Sequence, residues 1–280
     1  MKTIIIHSQD LSLAQRLSLS LKGELEQRKK HFRIHTSNNF NLTHLRELNK
    51  VDLNLISETF NFSEVRLLVS DMDSTLITIE TIDEIAKVAG MSNEVTEITE
   101  QAMLGNLDFT ESFKKRVSIL NGVNISLFET VFDNHLQLSP GVPELIQSFK
   151  SLGIKSAVIS GGLVYFAERL KSQLGLDTFQ ANNVEINNNC LTGKVLGKVI
   201  DASEKANYIY ELCKLYQLEI DQVIAIGDGA NDLEMMKIAG ISVAYRAKPV
   251  LEEKCDIVIN YSGLDSVLDF FDYDSKLIVS

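Results

Sequence analysis

The 280-residue sequence has few cysteines, no concentrated run of positive charge and no long apolar segment. Its three cysteines are isolated, odd in number and without a C-x-x-C pair: Cys190, Cys213 and Cys255. Such usage indicates neither a disulfide framework nor a zinc site, and it is typical of a reducing compartment. We therefore expect a cytoplasmic protein.

Positive charge is scarce, with 27 Lys and Arg residues against 38 Asp and Glu residues and a net charge of −11. No basic run exceeds Arg28-Lys29-Lys30 in length, whereas binding to a phosphate backbone requires concentrated Lys and Arg. The early apolar run Ile4-Ile5-Ile6 is far too short for a signal peptide or a membrane span. These deficits argue against nucleic-acid and membrane partners. A small phosphorylated molecule is still a possible partner, because its binding needs only local positive charge.

Apolar residues make up 45% of the chain and charged residues 23%, so one substantial α/β domain and one or two small ones can form. Residues 1–62 are predicted to form a small α/β unit, with a strand over Thr3–His7, a helix over Leu11–Lys29 and an extended piece near Phe32–His35. The basic run at 28–30 would suit the C-terminal end of that helix, where cations favour the helix dipole. The unit carries no chemistry of its own. Both a regulatory role and a dimerising role, giving a homodimer, stay open.

The segment 65–75 organises the rest of the chain. It begins with a mostly apolar run, Val65 to Val69, and ends in two carboxylates and two hydroxyls, as a buried parallel strand does at its carboxyl edge. Ligands bind at that edge in open α/β sheets, so Asp71 and Asp73 lie where catalysis is expected. A pair of acids two residues apart fits a nucleophile with an acid/base partner. Taken alone, however, a solvated turn explains the pair more simply.

A second acidic strand end favours the catalytic interpretation. The apolar run Val223 to Ile226 is followed by Asp228 and Asp232, with glycines on either side of the first acid. Carboxylates that converge from separate strand ends can hold a divalent, oxygen-binding cation such as Mg²⁺. The two strand ends together therefore predict a metal-assisted site.

Two further features suit an anion. The predicted strand Ser156–Ile159 is followed by Ser160-Gly161-Gly162 and a helix, and glycines let backbone N–H groups approach a negative charge. Lys205 lies near the start of the predicted helix Ser203–Tyr216, where a cation opposes the helix dipole unless an anion sits between them. Neither feature is specific by itself.

Strands alternate with helices from residue 63 onward, which predicts an α/β fold with a doubly wound parallel sheet of at least five strands. Residues 63–82 and 140–280 are expected to form this catalytic core, and the helical pattern of residues 83–139 predicts an inserted cap. Within the cap, Phe109 and Arg116 share one helix face. Arg116 either extends past a hydrophobic cluster into solvent or belongs to a lid over the active edge.

Four motifs occur in a fixed order: Asp71-Met72-Asp73-Ser74-Thr75, Ser160-Gly161-Gly162, Lys205 and Gly227-Asp228-Gly229-Ala230-Asn231-Asp232. Their types and order resemble those of the haloacid dehalogenase-like phosphohydrolase superfamily. Within it, residues 71–77 and 80–84, together with 115–118 and 247–249, resemble the phosphoserine phosphatase family. The resemblance extends from about residue 65 to the C-terminus and leaves the first 62 residues unmatched.

The resemblance implies Mg²⁺-dependent hydrolysis of O-phospho-L-serine to serine and phosphate, the last step of serine biosynthesis. By that resemblance, Asp71 is the nucleophile that forms an aspartyl-phosphate, and Asp73 is the general acid and base. The implied Mg²⁺ ligands are Asp71, the backbone carbonyl of Asp73 and Asp228.

The resemblance also implies how the phosphoryl group is held. Ser160 and the backbone of Gly161 contact its oxygens, and Gly162 completes their motif. Lys205 supplies positive charge to those oxygens and to the nucleophile. Asp232 supports the site by orienting Lys205 or a water on the metal.

The implied contacts with the rest of the substrate come from the helical segment and its surroundings. Glu80 and Arg116 recognise the amino group and the carboxylate, respectively. Asn231 lies close to the substrate. Phe109 and Met103 belong to a lid that excludes water.

Two other interpretations stay open. One is a phosphatase or phosphotransferase of the same superfamily that acts on another small phosphorylated metabolite. The more remote one is an inactive relative that serves as a binding module. It is disfavoured because intact acids at two buried strand ends are costly to keep together without a metal.

Overall fold

A computed structural model describes residues 1–56, 60–103 and 106–271, and of Met103 it describes the backbone alone. The N-terminal unit contains, in order, β1 Lys2–Ile6, α1 Leu11–Leu21, β2 Glu24–Gln27, β3 Phe32–Thr36, α2 Leu42–Asn49 and β4 Leu53–Leu55. Its four strands form an antiparallel sheet in the order β2-β3-β1-β4. The apolar face of α1 packs with side chains of β1 and β3 into a small core of its own.

The predicted helix Leu11–Lys29 is wrong beyond residue 21. Lys22 adopts a left-handed conformation with a φ of 48°, and Gly23 donates its N–H to Ser18 O at 3.0 Å, which ends α1. A side chain at Gly23 would also collide with Ile34, so the glycine permits the close approach of β3. The basic run at 28–30 therefore lies between β2 and β3 and not at a helix end.

The larger sheet begins at β5 Leu67–Ser70, which is followed by a tight turn over residues 72–76 and then four helices. These are α3 Thr81–Val88, α4 Ser92–Met103, α5 Phe109–Ile119 and α6 Ser126–Asn134. Backbone hydrogen bonds join the two ends of this helical segment: Thr78 N–H donates to Gln137 O and Ser139 N–H to Leu76 O, both at 2.9 Å. The segment therefore leaves and rejoins the sheet at one place.

The remaining elements are α7 Val142–Ser151, β6 Lys155–Leu163, α8 Val164–Leu174, β7 Thr178–Asn187, β8 Cys190–Leu196, α9 Ala202–Tyr216, β9 Val223–Gly227, α10 Leu233–Ile238, β10 Ile241–Tyr245, α11 Pro249–Glu252 and β11 Ile257–Ile259. The strand order is β11-β10-β9-β5-β6-β7-β8, and all pairings are parallel except that of β8 with β7. Alternate residues of β5 join different hydrophobic clusters, Leu68 in one and Leu67 with Val69 in the other. Both faces of the sheet are thus covered, which confirms the predicted doubly wound α/β fold. In the described ranges, no helix has the length and apolar content needed to cross a bilayer.

The strand predicted at Ser156–Ile159 is longer than expected. β6 continues through Ser160-Gly161-Gly162, so this motif lies inside the strand and not after it. Pairing with β7 shifts register between Ile159 and Leu163. The motif is therefore the bulged carboxyl end of a strand, and α8 begins only at residue 164.

The N-terminal sheet docks on the edge of β11. Asn54 of β4 donates from Nδ2 to Val258 O and accepts at Oδ1 from Val258 N–H, both at 2.9 Å. Asp52 accepts hydrogen bonds from the three N–H groups of residues 260–262. These side chains satisfy backbone groups that an exposed edge strand would present to solvent.

Candidate active site

Asp71 directly follows the central strand β5. Its N–H donates to Ile226 O of β9 at 2.9 Å, which extends the parallel ladder by one residue. The side chain is buried. Since β5 lies between β9 and β6, Asp71 stands at the carboxyl edge in the middle of the sheet, where ligands bind in folds of this type.

Asp73 lies in the tight turn that follows. Ile77 N–H closes the turn by donating to Met72 O at 3.0 Å, and Ser74 has a positive φ of 57°. Thr81, at the start of α3, donates to Asp73 Oδ2 from its N–H at 3.1 Å and from its hydroxyl at 2.8 Å. The other oxygen, Oδ1, is buried and accepts no hydrogen bond from the described residues. One oxygen of Asp73 is thus committed, and the other is available to a reacting molecule.

The electrostatic surroundings of Asp73 favour its protonated form. Burial and the nearby charge of Glu80 raise the pKa of Asp73 to about 8, although the hydrogen bonds from Thr81 oppose the rise. These surroundings favour the form of the carboxyl group that can donate a proton. A protonated acid with a free oxygen can donate to a leaving group.

The second acidic strand end is formed by β9 and the turn after it. Asp232 Oδ2 accepts hydrogen bonds from the N–H groups of Asp228 at 3.1 Å and Gly229 at 3.0 Å. Thr75 donates to Asp228 Oδ1 at 3.3 Å, which ties this strand end to the turn after β5. Asn231 is half-buried in the same turn, beside Gly229. The two acidic strand ends therefore form one site.

Lys205 joins these strand ends. Its Nζ donates to Asp71 Oδ1 at 2.5 Å and to Asp232 Oδ1 at 2.7 Å, and its side chain is fully buried. Asp201 caps α9 by accepting from Glu204 N–H at 3.0 Å, which places Lys205 near the start of the helix. Burial alone would lower the pKa of Lys205, but the carboxylates of Asp232 and Asp71 outweigh it and raise the pKa. The lysine is therefore charged.

Carboxylates outnumber the buried lysine at this point. Oxygens of Asp71, Asp228 and Asp232 lie within 4.8 Å of one another. Burial and the charge of Asp232 raise the pKa of Asp71 against the opposing effect of Lys205, and the same two causes raise the pKa of Asp228 to about 7. This excess of buried carboxylates fits a divalent, oxygen-binding cation. Both oxygens of Asp232 accept hydrogen bonds, as do Oδ1 of Asp71 and Oδ1 of Asp228. Among the described residues, the open oxygens are therefore Oδ2 of Asp71 and Oδ2 of Asp228.

The motif Ser160-Gly161-Gly162 lies beside Asp73. Ser160 is fully buried, and its Oγ accepts a hydrogen bond from Gly162 N–H at 2.8 Å. A Cβ built on Gly162 would lie 3.1 Å from Asp73 Oδ2, which shows how closely the two strand ends approach. A serine hydroxyl and neighbouring backbone N–H groups are donors suited to phosphoryl oxygens.

The helical segment reaches this edge of the sheet through Phe109. A Cβ on Gly161 would lie 2.5 Å from Phe109 Cζ, so the ring rests directly on the glycine. Phe109 also stacks on the buried Phe113, with ring centroids 6.3 Å apart. The side chain of Met103, the other predicted lid residue, lies outside the described part of the structure.

Glu80 and Arg116 both lie near the start of α3. Glu80 is exposed, directly precedes the helix and accepts a hydrogen bond from the Ser74 hydroxyl at 2.7 Å. Arg116 of α5 pairs with Asp83 in the first turn of α3, with 3.5 Å between Nη1 and Oδ1. Its Nε is buried and donates no hydrogen bond to the described residues. A mostly buried guanidinium with a single long ion pair retains capacity for a ligand carboxylate.

Three residues at this site were missed in the sequence: Thr81, Asp83 and Asn182. Thr81 directly follows Glu80 and Asp83 lies two positions further on, and their place in the segment 80–84 was the only available signal. Asn182 of β7 donates to Gly161 O at 2.8 Å from a strand whose sequence has no visible link to the phosphate motif. Only the folded chain brings the two together.

Residues 68–237 match the family model of the haloacid dehalogenase-like hydrolases. The matched span begins within β5 and ends within α10. It therefore contains both acidic strand ends, the Ser160-Gly161-Gly162 motif and Lys205.

Curated relatives are similar over most of the chain. A phosphoserine phosphatase from Archaeoglobus fulgidus is 44% identical over 229 residues, which cover 80% of this chain and 66% of that protein. One from Polaromonas sp. is 41% identical over 222 residues, which cover 78% of this chain and 94% of that protein. The match thus spans just under two thirds of the first relative. A crystal structure of a probable phosphoserine phosphatase from Vibrio cholerae has a TM-score of 0.85 and 36% identity, covering 98% of this chain and 87% of that one.

Proposed function

The chain belongs to the haloacid dehalogenase-like hydrolase family and, within it, to the phosphoserine phosphatases, and on that premise we propose that it hydrolyses O-phospho-L-serine to serine and phosphate. The observation that carries the proposal is the buried contact of Lys205 with Asp71 and Asp232, next to a protonated Asp73. A nucleophile, a cation and an acid are thereby available at one edge of the sheet.

Asp71 is the nucleophile of the first step. Its carboxylate attacks phosphorus, the bond between phosphorus and the serine oxygen breaks, and an aspartyl-phosphate forms. Asp73 donates its proton to the departing oxygen, so that serine leaves as a neutral alcohol. The raised pKa of Asp73 and its free Oδ1 support this role.

The second step reverses the role of Asp73. Now ionised, it takes a proton from water as the water oxygen attacks phosphorus, and the bond between phosphorus and Asp71 breaks. Inorganic phosphate leaves, and both aspartates return to their initial states. Lys205 stays charged throughout and holds one oxygen of Asp71 in place.

The cofactor that we propose is Mg²⁺. Asp71, Asp228 and the backbone carbonyl of Asp73 would hold it, and the excess of buried carboxylates supports a divalent cation at this place. When bound, it offsets the repulsion between an anionic nucleophile and a phosphate dianion.

The phosphoryl oxygens are proposed to contact the hydroxyl of Ser160, the backbone of Gly161 and the ammonium group of Lys205. The burial of Ser160 and the closeness of Gly162 to Asp73 support this placement. Asn231 is expected beside the substrate, because it lies in the turn that carries Asp232.

Glu80 and Arg116 are proposed to recognise the amino group and the carboxylate of the substrate, respectively. The incomplete hydrogen bonding of Arg116 supports its proposed contact with the substrate carboxylate. Phe109, resting on Gly161, would exclude water from the reacting groups. Met103 stays a lid residue by prediction only.

The domain limits belong to the proposal as well. Residues 83–139 would act as a cap on a core formed by 63–82 and 140–280, and the paired backbone at the two ends of the helical segment supports such an insertion. A cytoplasmic location is supported by three free cysteines.

A homodimer is a further proposal, which light scattering of the purified protein tests directly.

The first experiment measures phosphate release from O-phospho-L-serine by the purified chain with Mg²⁺ and with EDTA. A panel of other phosphorylated metabolites is measured alongside. We expect Mg²⁺-dependent turnover that clearly favours phosphoserine. Preference for another compound would keep the chemistry and refute the substrate, and no turnover of any compound would leave the binding-module interpretation.

Substrate recognition is tested by Arg116→Ala, with the exposed neighbour substitution Lys115→Ala as control. Loss of a bidentate carboxylate contact should lower kcat/KM for phosphoserine by about 100-fold. Hydrolysis of p-nitrophenyl phosphate, which has no carboxylate, should change little. Equal losses with both substrates would contradict the assignment of Arg116.

A further inference from the structure

Asn182 is a buried amide whose two polar atoms are both used near the candidate active site. It lies on β7 and is 1% exposed. Its Nδ2 donates to Gly161 O at 2.8 Å, and its Oδ1 accepts from Ile200 N–H at 2.8 Å. One side chain therefore joins the phosphate motif on β6 to the segment that leads into α9.

The contact with Gly161 falls where the β6–β7 ladder is interrupted. Between two paired positions, β6 advances from Ile159 to Leu163 while β7 advances only from Gln180 to Asn182. Residues 160–162 therefore have no directly paired residue on β7. At this interruption the Asn182 side chain supplies a hydrogen bond to the Gly161 carbonyl, inside the bulge.

The orientation of one peptide group connects Asn182 to Ser160. The Gly161 carbonyl and the Gly162 N–H belong to the same planar peptide group and point in opposite directions. Asn182 fixes the carbonyl, and the N–H donates to Ser160 Oγ at 2.8 Å. Because that bond occupies an acceptor position on Oγ, the hydroxyl proton of Ser160 is left to donate to another group. Hydrogen bonds in such a series also polarise one another.

The second contact of Asn182 concerns the position of Lys205. Ile200 directly precedes Asp201, the residue that caps α9, and Lys205 lies near the start of that helix. By accepting from Ile200 N–H, Asn182 fixes the entry of the helix relative to β6. The Asn182 amide thus fixes the position of the Ser160 hydroxyl relative to the Lys205 ammonium group.

We propose that Asn182 is a positioning residue that aligns the Ser160 hydroxyl and Lys205 on the same phosphoryl group. The proposal rests on the proposed function, because it takes the phosphate site from there. It assigns no contact with substrate to Asn182. Its effect is confined to the phosphoryl end of the site and does not extend to the groups that recognise the amino acid.

The test uses the full chain with Mg²⁺ and compares Asn182→Ala and Asn182→Leu with the wild type. Leu has the branched shape of Asn, is larger and has no polar atom, whereas Ala leaves room for a water to bridge the two backbone groups. Asn183→Ala is the matched control, since this neighbouring amide is exposed and, within the described part of the chain, its side chain has one hydrogen bond, from Val184 N–H. Inhibition of p-nitrophenyl phosphate hydrolysis by inorganic phosphate and by L-serine is measured for all four proteins, together with unfolding in urea.

We expect both Asn182 variants to bind inorganic phosphate more weakly and to turn over more slowly, each by about 10-fold or more, because a small misplacement of catalytic groups is costly. The inhibition constant of L-serine should stay within about 2-fold, since Glu80 and Arg116 are untouched. Phosphate affinity and turnover should fall further in the Leu variant than in the Ala variant, and both should be unchanged in the Asn183→Ala control.

The split between phosphate and L-serine distinguishes positioning from a general structural role. Folded variants with wild-type phosphate inhibition and turnover, or with equal weakening of phosphate and L-serine, would overturn the proposal. If the Leu variant does not fold, the Ala variant decides by the same criterion. If the wild-type protein hydrolyses the aryl phosphate but neither hydrolyses phosphoserine nor is inhibited by L-serine, the proposed substrate is refuted. Inhibition by inorganic phosphate would still decide the role of Asn182.

Discussion

A single buried ammonium group, that of Lys205, lies between carboxylates from two strand ends. Without it, the repulsion between Asp71 and Asp232 would lack a compensating positive charge in a place where burial already disfavours the charged form of Asp71. Lys205 therefore contributes to the stability of the fold as well as to the proposed reaction. A substitution at this residue should affect both.

We expect Lys205→Met to lower the free energy of unfolding by about 3 kcal/mol, because it leaves two buried carboxylates without their cationic partner. Turnover of phosphoserine should fall by about 100-fold or more, since positive charge on the phosphoryl group is lost. Urea unfolding and steady-state kinetics measure the two effects. Lys214→Met, at an exposed lysine of α9, is the control. A Lys205→Met protein as stable as the wild type would contradict this account.

Asp73→Asn separates the acid role of Asp73 from its structural role. The Asn side chain can still accept the hydrogen bonds from Thr81, but it cannot donate a proton to a leaving group. The first phosphoryl transfer from phosphoserine should slow by about 100-fold or more. The burst with p-nitrophenyl phosphate should be nearly unchanged, because nitrophenolate leaves without protonation. Rapid-quench measurements compare the rate of the first phosphoryl transfer from the two substrates. Equal slowing of that step with both substrates would exclude the acid role of Asp73.

Single residues differ in how well the sequence predicts them. Asp71, Asp73 and Asp228 could be placed at one edge because each follows an apolar run, and parallel strands end at the same edge. Thr81 and Asn182 could not, since their contacts depend on distances between elements. Nothing in the local sequence of Asn182 indicates that it reaches Gly161 on another strand.

Among the elements, α5 connects two parts of the core. Near its C-terminal end, Gly122 N–H donates to Leu191 O of β8 at 2.8 Å, and Leu191 N–H donates to Val123 O at 2.9 Å. At its N-terminal end, Phe109 rests on Gly161 of β6. The helix is thus anchored at one end and contacts the phosphate motif at the other. That contact depends on the absence of a side chain at residue 161.

Gly161→Ala should therefore displace Phe109 from the phosphate motif and lower kcat/KM for phosphoserine by about 10-fold or more. Phe109→Ala in the same protein removes the atoms that collide with the new methyl group. The decrease in kcat/KM of the double variant should then be much smaller than the product of the two single-variant decreases. Kinetics of the four proteins form the cycle, and simple additivity would argue against a direct contact in solution.

The elements of the core were predicted better than those of the N-terminal unit. β5 and β9 are recognisable because buried parallel strands are apolar throughout. The helix predicted over Leu11–Lys29 included the residues of β2, because the basic run at 28–30 was taken as its C-terminal end and the signal at Gly23 was overlooked. The extent of β6 could not be predicted, since the glycine motif was taken as a loop.

At the scale of the whole molecule, a buried hydrogen-bonded cluster of polar side chains joins the N-terminal unit to the core. Asp269 lies 2.8 Å from His7 Nδ1 and 3.2 Å from His31 Nδ1, and its carbonyl accepts from Arg33 at 3.1 Å. Burial alone would raise the pKa of Asp269, but the hydrogen bonds from His31 and His7 outweigh it and lower the pKa to about 2. The docking of the two units is therefore linked to pH.

Because the pKa of Asp269 falls from 3.8 to about 2 on folding, its contribution is present above pH 4 and is lost as pH falls towards 2. The contribution is on the order of 2 kcal/mol. Asp269→Asn should be less stable than the wild type by that amount at pH 7, and the difference should shrink below pH 4. Urea unfolding across this range measures it, with Asp221→Asn, at an exposed aspartate, as control. A difference that does not change with pH would contradict this role of Asp269.

The docking itself could not be predicted from the sequence. Asn54 and Val258 are separated by 204 positions, and neither lies in a recognisable motif. The doubly wound core could be predicted because alternation of strands and helices is a local property repeated along the chain. Docking instead depends on which side chains of β4 meet the backbone of β11.

The most direct test follows the phosphoryl group onto the enzyme. Protein mixed with radioactively labelled phosphoserine and Mg²⁺ is quenched in acid within one turnover, digested and analysed by mass spectrometry. We predict that the label is on Asp71, and that Asp71→Asn retains its fold by circular dichroism but carries no label and releases no phosphate. Turnover without label on Asp71, or normal phosphate release by Asp71→Asn, would contradict the central claim.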